Sequence, residues 1–90
     1  MPHVKVKLIP PLDKEIGTKE LRIFIEDSQE IYDILQYLTS KHNIQLIIDH
    51  NPNPGYIILL NDVDINVLEG LKTKVKNGDT ITIIPVSHGG

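Results

Sequence analysis

The sequence predicts a single α+β domain, a two-layer roll in which one main helix covers a small sheet. Three observations predict it. Ninety residues leave room for one core and no second. Two early segments, "HVKVKLI" and "ELRIFIE", alternate apolar with polar residues, the period of half-buried strands. A later stretch changes to the helical period, and a helix with one apolar stripe must bury it against the only apolar sheet face on offer.

The elements follow in order. In "HVKVKLI", Val4, Val6 and Leu8 share one face, with His3, Lys5 and Lys7 on the other. Pro10-Pro11 stops this strand, and "PLDKEIGTK" is expected to be a loop turning at Gly17. Leu21, Ile23 and Ile25 then oppose Arg22, Phe24 and Glu26, so the two strands read as an antiparallel pair. Ile31, Ile34, Leu35 and Leu38 fall on one helical stripe. Asp27 with Glu30 resembles a capping box, with Ser28 as the other candidate cap, and Lys41, His42 and Asn43 fit the helix end.

The middle of the chain is less regular. Ile44 to Ile48 reads either as a short strand or as a loop laying apolar residues on the core, before Pro52, Pro54 and Gly55 break the pattern. "YIILL" is continuously apolar and reads as a well-buried strand, turned by "NDVD". Val67, Leu68 and Leu71 fit a short helical turn or an irregular strand. Asn77-Gly78 marks a tight turn before the last strand, "TITIIPV", which ends at Pro85. The order is β-β-α-β, a short element, and β.

Composition excludes several functions. Cysteine is absent, so neither a disulfide, a thiolate nucleophile nor a Cys-ligated metal is available. No apolar run is long enough to span a membrane, and the cytoplasm is the expected location. The formal charge is −3 and Arg22 is the only arginine. Phe24, Tyr32, Tyr37 and Tyr56 are the only aromatic residues. A nucleic-acid surface needs a basic footprint with stacking platforms, so no direct nucleic-acid contact is expected. Lys5 and Lys7, and Lys72, Lys74 and Lys76, read as solvated faces.

Self-contained catalysis has no obvious carrier. His3, His42, His50 and His88 lack the close pairing of a metal site, and no metal is expected. Asp62, Asp64 and Asn66 open like a calcium loop, but Val67 stands where that loop needs glycine and Thr73 where it needs glutamate. Ser87 and His88 are adjacent, and neighbours on an extended chain point opposite ways. No phosphate-cradling glycine loop or nucleophile elbow is present.

What remains is "IIPVSHGG". An α-carboxylate on Gly90 is ionised at neutral pH and can attack an activated phosphate. Glycines make a narrow, extended and conformationally free segment able to thread into a partner's active site. Pro85 is expected to stop the last strand from pairing further, so residues 1–84 are read as the folded domain and 85–90 as a flexible tail.

Pro54-Gly55, "YIILL", Asn61-Asp62-Val63-Asp64, the Leu68 to Leu71 spacing, Asp79 and His88-Gly89-Gly90 together resemble the ubiquitin-related modifier family among the β-grasp sulfur carriers. Residues 54–90 carry the specific matches; the first half is similar in element order and hydrophobic pattern. The resemblance implies a ubiquitin-like β-grasp fold, a mixed sheet of four to five strands on one main helix. It implies a protein co-substrate, not an enzyme. An E1-like enzyme would adenylate the Gly90 carboxylate, using ATP and magnesium at its own site, and the carrier itself would hold no cofactor. A rhodanese-type or desulfurase partner would supply sulfur to form a thiocarboxylate. That sulfur would pass to a tRNA-thiolating enzyme, or the carboxyl end would be joined to a lysine of a target protein.

By position, Gly90 is the reactive terminus, Gly89 its slim neighbour, and His88 a tail-recognition residue. Alternation places Phe24, Ile84 and Val86 on the sheet face opposite Val4, Val6 and Leu8, a candidate partner-binding face. Pro85 is more similar to the small subunit of molybdopterin synthase, and a carrier of that kind, bound to a large catalytic subunit, is the alternative. A β-grasp interaction module without carrier chemistry is the third reading.

Overall fold

A computed structural model describes residues 1–86. Seven strands and two helices run in the order β1 (His3–Leu8), α1 (Leu12–Ile16), β2 (Glu20–Phe24), α2 (Ile31–Lys41), β3 (Ile47–Ile48), β4 (Asn51–Pro52), β5 (Tyr56–Leu60), β6 (Val63–Asp64) and β7 (Thr80–Pro85). The main sheet has the order β2-β1-β7-β5-β6. β1 and β7, the two ends of the chain, lie parallel at its centre, and the other pairings are antiparallel. The expected mixed sheet on one main helix is therefore present.

The core forms where the two predicted stripes meet. Val4, Val6 and Leu8 of β1 share the inner face with Ile81 and Ile83 of β7 and Ile58 and Leu60 of β5. Ile31, Ile34, Leu35 and Leu38 of α2 pack down on them, each essentially without solvent contact. Burying side chains of this size stabilises by about 1.5–3 kcal/mol each.

Several elements differ from the sequence reading, each for a local reason. The expected loop over 11–19 contains α1. Leu12 is buried and anchors that short helix, and Gly17 ends it at φ 96, donating its N–H to the Asp13 carbonyl. Neither Asp27 nor Ser28 caps α2. Glu30 holds the cap position, and its N–H donates to Asp33 Oδ2 at 2.8 Å. Ser28 instead takes a left-handed turn, φ 67. At the other end His42 leaves the helix extended, and Asn43 is not left-handed.

Both readings of residues 44–48 hold in part. Ile44 and Leu46 are buried on the core, while Ile47–Ile48 pairs with Asn51–Pro52 in a small hairpin. The segment after β6 forms two 3₁₀ turns, Ile65–Val67 and Gly70–Lys72. They supply the short helical turn that Val67, Leu68 and Leu71 suggested; Ile65 and Leu71 anchor them, and Val67 is 77% exposed. "YIILL" is buried on one face only, because among the described residues no second layer covers the outside of the sheet: Ile58 and Leu60 face α2, and Ile57 is 39% exposed.

The 84/85 boundary also shifts. β7 includes Pro85, opposite Tyr56, and Val86 N–H donates to the Gly55 carbonyl at 2.8 Å. In β7 the odd-numbered residues turn their main-chain groups toward β1, as the Ile9 N–H to Ile83 carbonyl bond shows. Pro85 has no N–H for that side, and the β1–β7 register ends at Leu8 with Ile83. The proline thus ends pairing with β1 while the ladder with β5 continues.

Candidate functional site

The candidate partner face is the outer side of the sheet. The registers put Glu20, Arg22 and Phe24 of β2 on it, then His3, Lys5 and Lys7 of β1, then Thr80, Thr82 and Ile84 of β7, then Ile57 and Leu59 of β5. Phe24, Ile84 and Val86 therefore share the face that alternation assigned to them, but not one spot on it. Ile84 sits directly beside Ile57, with Leu59 beside Thr82, and Val86 continues the register opposite Gly55. Phe24 pairs with His3 at the start of β1, two strands away and at the other end. Six residues of strand and two strand spacings put it roughly 20 Å from Ile84.

Ile57, Leu59, Ile84 and Val86 thus form one apolar patch next to the end of β7. Sequence reading missed Ile57 and Leu59, because a continuously apolar strand reads as buried on both faces. Its pairing with "TITII", whose threonines mark the outer face, was the available signal. Phe24, 64% exposed, is separated from the patch by the Lys5, Lys7 and Arg22 side of the face.

The polar residues in the family-like stretch have local structural partners. Asn61 and Asp62, both left-handed (φ 49 and 70), turn β5 into β6, a conformation Asn and Asp tolerate. Asp64 Oδ1 accepts from the Asn66 N–H at 2.9 Å and starts the first 3₁₀ turn, so this carboxylate is a cap. Asp79 is buried and accepts from Asn61 Nδ2 and from the Lys76 N–H, both at 2.9 Å. Pro85, the residue that pointed to the molybdopterin-synthase subunit, belongs to the sheet. His88, Gly89 and Gly90 lie outside the described residues. Among the described residues no group of three or more His, Asp and Glu side chains is placed to hold a metal ion, and no helix is long and apolar enough to cross a membrane.

Parallel central strands from the two ends of the chain, a hairpin on one side and one helix across the inner face define a ubiquitin-like β-grasp protein. This is the class of ubiquitin-like sulfur carriers and modifiers, whose members are not themselves catalysts. The Ubiquitin related modifier family model matches residues 4–90, and the chain belongs to that family. A ubiquitin-related modifier homolog from Dictyostelium discoideum is 31% identical over 87 residues, 96% of this chain and 81% of the relative. The solution structure of small archaeal modifier protein 1 from Methanosarcina acetivorans is 32% identical with a TM-score of 0.79, covering 100% of this chain and 98% of that one. A chain of the Amycolatopsis orientalis BexX/CysO complex is 26% identical with a TM-score of 0.77, covering 97% and 99%.

Proposed function

We propose that this modifier acts through the carboxylate of Gly90, as a substrate of an E1-like activating enzyme. The carboxylate oxygen attacks the α-phosphorus of ATP, and pyrophosphate leaves. The outer sulfur of a persulfide on a rhodanese-type or desulfurase partner then attacks the carbonyl carbon and displaces AMP. A thiol cleaves the resulting acyl disulfide, leaving in a disulfide with the partner's cysteine and releasing the sulfur on the carbonyl. The product is a thiocarboxylate, with sulfur in place of one carboxylate oxygen. ATP and magnesium belong to the partner's site, and this chain contributes the nucleophile. Delivery to a tRNA-thiolating enzyme or to a target lysine in the cytoplasm completes the reading.

The observation that carries it is the family match, which runs through Gly89-Gly90 at residue 90. The apolar patch of Ile57, Leu59, Ile84 and Val86, beside the end of β7, supports it as the docking surface from which residues 87–90 would enter the partner. Carrier complexes of this fold occur, as in the Amycolatopsis chain crystallised with its partner. In this reading Gly89 keeps the approach narrow and His88 contacts the partner's channel. With ATP and a matching E1-like enzyme, the full chain should drive exchange of label between pyrophosphate and ATP. Deleting Gly90 should abolish it, and exchange that persists without Gly90 would refute the assignment.

A further inference from the structure

β2 is an open edge of the main sheet. Its odd-numbered residues turn their main-chain groups to β1, as the bonds from Leu8 N–H to the Lys19 carbonyl and from Ile25 N–H to the Pro2 carbonyl show. Strand geometry then points the N–H and C=O of Glu20, Arg22 and Phe24 outward. Glu20 is closed off by Thr18, whose hydroxyl donates to its carbonyl at 3.1 Å and accepts from its N–H at 3.4 Å. Glu26, just past the strand, has its N–H committed to Gln29 Oε1 at 2.7 Å. Arg22 and Phe24 keep unpaired main-chain groups among the described residues. An unpaired edge of this kind is a template for another strand.

The geometry points to a second copy of this chain as that strand: a reversible two-fold dimer through β2, centred on Ile23. In this register Arg22 of each copy lies opposite Phe24 of the other. Each Arg22 N–H meets the other copy's Phe24 carbonyl, each Phe24 N–H meets the Arg22 carbonyl, and no group already satisfied is disturbed. The side chains match as well. Arg22 has no ion-pair partner among the described residues. Directly opposite, it reaches the exposed face of the other Phe24 ring, a cation–π contact formed twice by symmetry. On the inner side, Ile23 of one copy meets Ile23 of the other at the mouth of a groove of about 450 Å³, lined by Ile23, Ile34 and Tyr37.

Other two-fold registers are poorer. Centring on Arg22 opposes two arginines and calls on the closed Glu20. Centring on Phe24 calls on the committed Glu26 N–H. In the chosen register Glu20 lies opposite Glu26, a like-charge contact that keeps the dimer weak. The two-fold axis runs through the sheet, so both outer faces point the same way. The patch of Ile57, Leu59, Ile84 and Val86 stays uncovered, and the dimer displays two copies of it side by side.

The test is sedimentation and amide hydrogen exchange on the full chain from roughly 50 μM to roughly 2 mM, the range suited to a small edge contact. The expected result is a monomer–dimer equilibrium, with exchange at Arg22 and Phe24 slowing several-fold as concentration rises while the Val63–Asp64 edge is unchanged. Arg22→Pro removes one outward N–H at a position where an edge strand tolerates proline. It should abolish the dimer, and Phe24→Ala should weaken it. A wild-type monomer throughout, with concentration-independent exchange at both amides, would overturn the proposal even if a variant failed to fold. A dimer that survives both substitutions but is lost in Ile84→Asp would overturn it too, by moving the contact to the apolar patch.

Discussion

Asn61 Nδ2 donates to Asp79 Oδ1 at 2.9 Å and ties the turn that ends β5 to the turn that begins β7. The tie is reciprocal: the Thr80 N–H donates to Asn61 Oδ1 at 2.9 Å, and the Asn61 N–H donates to the Thr80 carbonyl at 2.8 Å. Asp79 also accepts from the Lys76 N–H and is buried. These residues, part of the stretch that resembles the family, hold the frame that positions β7.

Asp79→Ala should therefore cost about 1–3 kcal/mol, since it strands the Asn61 amide and the Lys76 N–H. Urea denaturation measures this. A double-mutant cycle with Asn61→Ala should show coupling, because the two side chains share one hydrogen bond.

The helix makes a second contrast. Leu35 has no solvent contact, so Leu35→Ala should destabilise by about 2–5 kcal/mol. Tyr37, on the exposed side of the same helix, should change stability by no more than about 0.5 kcal/mol on replacement by alanine. Thermal melts of the two variants check this.

The outer face gives a functional contrast. Ile84→Asp should leave the fold intact and sharply reduce activation by an E1-like enzyme, because it charges the patch shared with Ile57. Phe24→Asp, roughly 20 Å away, should leave activation near wild type. Pyrophosphate exchange with circular dichroism on both variants decides. Equal loss from both would merge the two regions into one docking surface, and no loss from Ile84→Asp would remove the patch from recognition.

Much of this was legible in the sequence, and the reasons differ by element. The parity of "HVKVKLI" and the stripe of Ile31, Ile34, Leu35 and Leu38 mapped directly onto burial, because one side of each meets the core and the other meets water. "YIILL" misled because a sheet with one covered face can still carry apolar residues outside, as Ile57 and Leu59 do. The cap of α2 was misplaced because Asp33 reaches back to Glu30, a pairing that composition shared with Asp27 and Ser28. Residues 63–76 have no period to read, since their 3₁₀ turns are held by single anchors, Ile65 and Leu71. The separation of Phe24 from Ile84 depends on strand order, which alternation does not encode. The proposed carrier chemistry rests on Gly89-Gly90 and on membership of the family.

The most direct test is intact mass. The full chain would be incubated with ATP, magnesium, a matching E1-like enzyme and a sulfur donor, beside a Gly90-deleted control. The account predicts a mass gain equal to replacing one oxygen by sulfur in the full chain and none in the control. No gain, with the same enzyme active on its own carrier, would contradict the assignment of Gly90 as a sulfur-accepting terminus.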